Sequence, residues 1–153
     1  LRDRYFPEAK VSVLCNSTRV TVPAVREALL KVDNAIMKLD TVNADYIRLL
    51  DRPTGHYDVN EIIDALKQMQ GKLVIQTMFL KGYSEDGHNM DNTSDRYVLP
   101  WIEAVKQIAP RQVMIYTIDR ETPDKNLQKA LPAELDHIVE LLRKEGIVAT
   151  ASY

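Results

Sequence analysis

Four apolar runs of strand length each end in a polar tip and are followed by a stretch with helical character. The runs cover residues 11–15, 35–37, 73–76 and 113–115. Strands that alternate with helices indicate βαβ units and a parallel sheet. Ligands collect at the carboxyl ends of such strands, so the side chains at the four tips are the first candidates for chemistry.

The two ends of the chain are expected to be pieces of regular structure. Residues 1–7 are typical of the end of a helix, and residues 147–150 resemble a fifth strand. No linker divides the sequence between them, so we predict a single domain over residues 1–153. This domain is expected to be the later part of a larger α/β unit.

Composition excludes several classes of protein. The chain has 153 residues, 45% of them hydrophobic, and a net charge of −2 with dispersed lysines and arginines, which disfavours a DNA-binding surface. No run of 18 apolar residues is present, so a membrane span is not expected. The single cysteine, Cys15, cannot form an internal disulfide and suits a reducing compartment, which predicts a cytoplasmic protein.

Helix-entry signals precede the amphipathic stretches between the strands. Pro23, Asn43 and Pro132 stand at or near expected first turns, and Asp58 followed by Glu61 has the spacing of a capping box. The third strand is expected to run over residues 73–80. Residues 81–93 and 121–130 are expected to be polar loops.

Lys38 and Asp40 are the most informative pair of polar residues. Alternation along a strand puts both on one face, opposite Leu39, in an otherwise apolar run. A buried lysine is costly unless it is paired or lies near solvent. Two interpretations stay open: a charged group that reaches a ligand from the strand end, or a structural ion pair that closes the rim.

The remaining tips offer weaker candidates, each with a structural alternative. Asn16 and Ser17 are suited to hydrogen-bond a ligand, but are also an ordinary turn pair. Thr77 is either a ligand contact or a filler of the sheet. Tyr116, Thr117 and Arg120 crowd the fourth tip, where Arg120 is either an anion clamp or a solvated charge.

Familiar metal and nucleotide motifs are absent from the sequence. The oxygen-rich loop at residues 84–91 has no EF-hand spacing, and neither His56 nor His137 has metal-ligand spacing with another histidine. There is no GxGxxG, Walker, GxSxG or CxxC motif. We therefore predict no metal site formed by this chain.

At the strand tips the chain resembles the radical S-adenosylmethionine superfamily, in particular the iron–sulfur oxidoreductases related to wybutosine-synthesising tRNA enzymes and pyruvate formate-lyase activators. Five segments carry the resemblance, in register over nearly the whole chain. They are VLCNST at 13–18 (family SNGT), IMKLD at 36–40 (SLKLDA), LDRP at 50–53 (INRP), QTMFLKG at 76–82 (ETMLVKG) and VMIYTIDR at 113–120 (VQINTLDRP).

The resemblance implies a partial (β/α) TIM-like barrel, a parallel sheet with flanking helices, truncated at its N-terminal side. It implies that S-adenosylmethionine lies near the strand tips. Asn16 and Ser17 would be close to its ribose or amino-acid portion, and Lys38 and Asp40 close to its methionyl carboxylate or to the substrate. The later rim would be lined by Thr77, Tyr116, Thr117 and Arg120.

The sequence departs from the family in its cysteines. The family binds a [4Fe–4S] cluster through a CxxxCxxC loop, and this chain holds only Cys15. We therefore expect the whole enzyme to use the cluster and S-adenosylmethionine, and this chain to bind neither and to be inactive alone. Two alternatives stay open: a TIM-barrel lyase or aldolase with Lys38 as a Schiff-base amine, and a non-catalytic α/β fragment.

Partners are predicted only in outline. The substrate is not identified and is a small molecule, a protein or an RNA. An uncovered strand at residues 11–15 would present unpaired backbone groups and apolar side chains to solvent, and such an edge invites association. We therefore expect either a homodimer through this sheet edge or a cover formed by residues 1–10.

Overall fold

The computed structural model describes residues 2–153 and forms an α/β fold with helices packed on a parallel sheet. The strands are β1 Ser12–Cys15, β2 Asn34–Lys38, β3 Val74–Met78, β4 Leu80–Gly82, β5 Gln112–Tyr116, β6 Leu127–Lys129 and β7 Ala149–Ser152. The helices are α1 Arg2–Tyr5, α2 Pro23–Leu29, α3 Ala44–Leu50, α4 Val59–Lys67, α5 Asp95–Ile108 and α6 Pro132–Lys144.

The main sheet has the strand order β1-β2-β3-β5-β7, and every neighbouring pair is parallel. Each step along the chain therefore moves to the next position in the sheet, as it does in a (β/α) barrel. The predicted fold class, a partial TIM-like barrel with flanking helices, is confirmed. All five strands point their carboxyl ends to one edge, which gathers the four polar tips.

The two faces of this sheet differ in what covers them. One face is apolar and packs against the helices, with Met37, Ile75 and Val113 fully buried. The opposite face carries Leu14, which is 67% exposed, and the half-buried side chain of Lys38, which is paired in register with Gln76. Parallel sheets are usually covered on both faces. In residues 2–153 this second face is exposed to solvent at Leu14, and we call it the open face.

Local signals place two helix starts as predicted. The Asn43 side chain accepts a hydrogen bond from the backbone N–H of Tyr46, and Asp58 accepts from the N–H groups of Asn60 and Glu61. These caps satisfy backbone donors that a helix leaves unpaired in its first turn. Helix α3 is thereby fixed directly after the β2 tip, and α4 after the turn that follows α3.

The third strand and the two predicted loops differ from expectation. Strand β3 ends at Met78, and Leu80–Gly82 instead forms β4, which pairs antiparallel with β6 from the second predicted loop. The Asn92 side chain supports this break, since it accepts from the N–H of Leu80 and donates to the carbonyl of Met78. The pairing joins residues 45 to 49 positions apart in the sequence, so local patterns could not reveal it.

The close approach of β4 to β6 explains why residue 82 is a glycine. Gly82 has a φ of +97°, and a Cβ there would lie 2.1 Å from the backbone oxygen of Asn126. A small cluster of Tyr46, Leu80 and Met90 ties the β4–β6 ribbon to α3. The ribbon therefore stands at the carboxyl-end edge of the sheet, beside the strand tips.

The last strand is also shifted. It covers Ala149–Ser152 rather than residues 147–150, because α6 is followed by Gly146 at a φ of +76° and the chain turns before it enters the sheet. Among residues 2–153, no helix has the length and apolar character needed to cross a membrane.

Candidate functional site

Three charged side chains meet at the carboxyl end of β2. Lys38 Nζ lies 2.8 Å from Asp40 Oδ2 and 3.3 Å from Asp51 Oδ1. The Asp40 side chain is fully buried, whereas those of Lys38 and Asp51 are 32% and 21% exposed. Lys38 and Asp40 form an ion pair, as one of the two interpretations of the sequence anticipates, and Asp51 from the end of α3 completes a cluster of one positive and two negative charges.

Asp40 also holds two strands together. Its Oδ1 accepts a hydrogen bond of 2.8 Å from the backbone N–H of Met78, at the end of β3. Its Oδ2 lies 2.8 Å from Lys38 Nζ, an ion-pair contact, and within residues 2–153 it has no other partner. The carboxylate thereby joins the ends of β2 and β3 and fixes the position of the Lys38 ammonium group.

Hydrogen bonds from side chains of neighbouring segments hold the backbone that carries these charges. Ser17 Oγ donates to the carbonyl of Lys38 at 2.7 Å. The carbonyl of Leu39 accepts from Thr77 Oγ1 at 2.8 Å and from the indole N–H of Trp101 at 2.9 Å. Buried hydrogen bonds of this kind fix the geometry of a site because breaking one leaves a polar group unsatisfied.

Burial and charge compete at this cluster. Burial on its own lowers the pKa of Lys38, but the carboxylates of Asp40 and Asp51 outweigh it and raise the pKa above its ordinary value. Burial raises the pKa of Asp40, against the opposing effect of Lys38 and with help from the negative charge of Asp51. Lys38 is therefore a permanently charged group at neutral pH.

The cluster forms the floor of an open cleft of about 740 Å³, a size that suits a small-molecule ligand. One wall is the turn after β1, with Asn16, Thr18 and Arg19. The other wall is the segment after α3, from Arg52 to Tyr57.

Burial and the charges of the floor affect two tyrosines. Burial, together with the negative charges of Asp51 and Asp40, raises the pKa of Tyr57 to about 12. Burial and Asp40 also raise the pKa of Tyr116. Tyr116 is paired with Ser152 and Met78, so it lies on the open face of the sheet.

The predicted site residues do not all gather in the cleft. Asn16, Lys38 and Asp40 line it. Ser17 is buried beneath it, and its hydroxyl donates a hydrogen bond to the backbone carbonyl of Lys38. Whether any of them contacts a ligand stays a prediction.

The later strand tips hold the other predicted residues. Thr77 and Thr117 are buried and bonded to backbone groups, Thr117 through the N–H of Ala130. Tyr116 is half-buried on the open face, and Arg120 is exposed on the loop after β5. Their predicted ligand contacts, like those of the cleft residues, stay predictions.

Sequence reasoning missed Asp51, Arg52 and Tyr57 as functional candidates. They lie in the turn that follows helix α3 rather than at the end of a strand, so a search of the strand tips does not reach them. Only the tertiary fold brings this turn over the β2 tip. The signal that was available is the resemblance of residues 50–53 to a family motif, which marked the turn as more than a helix stop.

Metal ligands do not cluster in the part of the chain that the structure describes. No group of three or more His, Cys, Asp or Glu side chains within residues 2–153 is arranged to hold a metal ion.

The chain is similar in sequence to three curated proteins. It is 29% identical over 129 residues to a UPF0026 protein of Synechocystis, and 26% identical over 125 residues to a UPF0026 protein of Helicobacter pylori. These matches cover 82% and 79% of this chain but only 44% and 38% of the two relatives. A GTPase Obg of Brachyspira hyodysenteriae is 24% identical over 137 residues, which is 19% of its length. The chain thus spans less than half of the relatives it matches. No family model matches it.

Solved structures share the fold at low sequence identity. A radical SAM methyltransferase from Sphaerobacter thermophilus matches 85% of this chain with a TM-score of 0.65 and 18% identity, over 37% of its own length. A domain of pyruvate-formate lyase-activating enzyme from Bacteroides vulgatus matches 94% of this chain with a TM-score of 0.65 and 12% identity, over 82% of its length. SuiB of Streptococcus suis, bound to S-adenosylmethionine, gives a TM-score of 0.67 at 10% identity, over 33% of its length.

These likenesses confirm the predicted resemblance at the level of the fold. The chain shares the architecture of part of each of these three proteins.

The electrostatics of the floor generate a prediction about Tyr57. Because Asp51 contributes to the raised pKa of Tyr57, Asp51→Asn is expected to lower that pKa from about 12 toward the ordinary value of about 10. Asp45→Asn, which removes the same charge from an exposed position on α3, is expected to leave it unchanged. Tyrosine-selective NMR during a titration from pH 8 to 13 measures both pKa values. Equal values in the two variants would contradict this account of the cleft.

The raised pKa of Tyr57 also predicts that the free energy of unfolding falls as the pH rises above about 10. In that range the side chain ionises in the unfolded chain, whereas in the folded chain it stays neutral up to a pH of about 12.

Proposed function

We propose that this chain forms the C-terminal portion of the barrel of a radical S-adenosylmethionine iron–sulfur oxidoreductase or activating enzyme. The observation that carries the proposal is the Lys38–Asp40–Asp51 cluster at the carboxyl ends of parallel strands, in a fold shared with enzymes of that class. The family-like segments at residues 36–40 and 50–53 are the ones that supply these three side chains.

The residues of the cleft fit S-adenosylmethionine. Its volume of about 740 Å³ lies in the range of ligand pockets. Asp51 is 21% exposed and accessible to accept hydrogen bonds from an ammonium or hydroxyl group, whereas Asp40 is fully buried and holds the Lys38 ammonium group in place. Asn16 presents its amide from the opposite wall. In the superfamily, S-adenosylmethionine supplies the radical chemistry when it is cleaved reductively, which starts hydrogen abstraction.

The residues of this chain do not fit an iron–sulfur cluster. A [4Fe–4S] centre of this family needs three thiolates, and the chain has one cysteine, Cys15. We therefore propose that the thiolates come from residues outside these 153, and that the chain alone is inactive. The lengths of the curated relatives, of which this chain spans less than half, support that proposal.

A Schiff-base lyase or aldolase is the weaker alternative. An amine must lose its proton to attack a carbonyl, and catalytic lysines reach this state through a lowered pKa. The pKa of Lys38 is instead raised by two carboxylates. A non-catalytic α/β fragment remains the other alternative, and it predicts that charge removal in the cleft has no catalytic effect in the longer protein.

The proposal is tested in the gene product that carries these residues together with any segment encoded before Leu1. We expect that segment to contain CxxxCxxC, and anaerobic reconstitution to give iron, sulfide and a charge-transfer band near roughly 400 nm. The isolated 153-residue chain should give neither the band nor cleavage of S-adenosylmethionine. In the longer protein, Lys38→Met and Asp51→Asn should reduce cleavage by about tenfold or more while the band is retained, since one strong charged contact accounts for such a factor.

Asp45→Asn is the matched control, because it removes one negative charge from α3 outside the cleft. It should cleave S-adenosylmethionine at the rate of the unchanged protein. An upstream segment without the cysteine motif, or full cleavage by the Lys38 and Asp51 variants, would overturn the proposal.

We also propose that the isolated chain forms a homodimer through the β1 edge of the sheet. Strand β1 pairs with β2 on one side only, and its Leu14 side chain is 67% exposed. Val11, directly before the strand, is also exposed. An exposed apolar edge with unpaired backbone groups favours pairing with a second copy.

Leu14→Lys is expected to weaken this association, because a charged side chain on an edge strand opposes pairing. Light scattering over a concentration series should show a dimer for the unchanged chain and a monomer for the variant. Val148→Lys, at a 63% exposed position beside the opposite edge strand β7, serves as control and should remain dimeric. A monomeric unchanged chain at high concentration would refute the dimer.

A further inference from the structure

The cleft separates charge between its floor and its walls. The floor holds one lysine and two aspartates, so its formal charge is −1. The walls carry two arginines, Arg19 after β1 and Arg52 after α3. Because the positive charge of Lys38 is already shared by two carboxylates, the arginines are the cations of this cleft best placed to bind an anion.

Arg19 lies in a turn that is held by several hydrogen bonds. The Asn16 side chain accepts hydrogen bonds from both the N–H and the hydroxyl of Thr18, and the carbonyls of Ser17 and Arg19 accept from the N–H groups of Val20 and Val22. The Arg19 residue itself is exposed. Within residues 2–153 its guanidinium makes no hydrogen bond and no ion pair, so its five donors are available.

Arg52 is fixed on the facing wall. Its backbone has a φ of +44° and its N–H donates to the carbonyl of Ile47, which ends α3. Its Nε donates to the carbonyl of Leu49 at 3.1 Å. The side chain is 65% exposed, and its Nη2 forms a long ion pair of 3.8 Å with Asp124. One edge of the guanidinium is thus held at Leu49, and its terminal nitrogens, which make no hydrogen bond within residues 2–153, are accessible to a ligand.

We infer that Arg19 and Arg52 bind an oxyanion, a phosphate or a carboxylate, of a ligand whose cationic group lies on the floor against Asp51. The ligand class is a small zwitterion with its charges at opposite ends. A guanidinium pairs well with such oxyanions because its donors match their geometry. The inference deepens the proposed function, since it concerns the same cleft, but it depends on neither the iron–sulfur cluster nor the cleavage of S-adenosylmethionine.

Two simple probes test the inference on the full 153-residue chain: inorganic phosphate, and phosphoethanolamine, which adds an ammonium group to a phosphate. Titrations followed by NMR chemical shifts give the dissociation constants. Arg19→Ala and Arg52→Ala are each expected to weaken phosphate binding by about three- to tenfold, as expected for a charge-assisted contact at a part-exposed site. Arg19→Lys should recover only part of the loss, because it keeps the charge but not the planar donors.

Arg143→Ala is the matched control, because it removes the same charge from an exposed position on α6. It should bind phosphate as the unchanged chain does. Equal weakening by all three alanine variants would show a general charge effect and overturn the inference, as would wild-type binding by Arg19→Ala and Arg52→Ala. Circular dichroism and thermal unfolding establish that each variant is folded.

The contact between Asp51 and a cationic group is tested by comparing the dissociation constants of the two probes. Phosphoethanolamine should bind several-fold more tightly than phosphate, and Asp51→Asn should remove this advantage, whereas Asp45→Asn should keep it. No advantage in the unchanged chain would overturn the zwitterion assignment. Loss of S-adenosylmethionine chemistry in the longer protein, with phosphate binding intact, would count against the proposed function alone.

Discussion

The buried carboxylate of Asp40 is the constraint on which the carboxyl end of the sheet depends. Its side chain is fully removed from solvent, and a charge in that position is costly unless it is paired and hydrogen-bonded. One oxygen bonds the N–H of Met78 and so joins β2 to β3, while the other faces Lys38 at 2.8 Å. Lys38 in turn reaches Asp51, which brings the end of α3 over the strand tips.

This arrangement determines what chemistry the cleft can support. The two carboxylates raise the pKa of Lys38, so the lysine is a fixed positive charge rather than a nucleophile. The floor keeps a net formal charge of −1, and Asp51 is its partly exposed carboxylate. A ligand with hydrogen-bond donors or a cationic group fits such a floor.

The sequence predicted the elements that local patterns encode. Four apolar runs predicted four of the parallel strands, and residues 147–150 predicted the fifth, which lies two residues later. Asn43 and Asp58 marked helix starts because capping depends on residues only three positions apart. The β4–β6 ribbon was missed because its partners are distant in sequence. The role of Asp51 was missed for the same reason: a helix end becomes part of a site only when the fold carries it to the β2 tip.

A double-mutant cycle on Lys38 and Asp40 tests the central claim most directly. Lys38→Met leaves the fully buried Asp40 carboxylate without its cation, which should lower the free energy of unfolding by about 3–5 kcal/mol. Asp40→Asn should cost less, because Lys38 keeps Asp51 as a partner and is 32% exposed. The double variant should lose much less than the sum of the two. The exposed pair Lys67–Asp64, 3.0 Å apart, should show a coupling of about 0.5 kcal/mol or less. Additive losses at Lys38 and Asp40 would contradict the account.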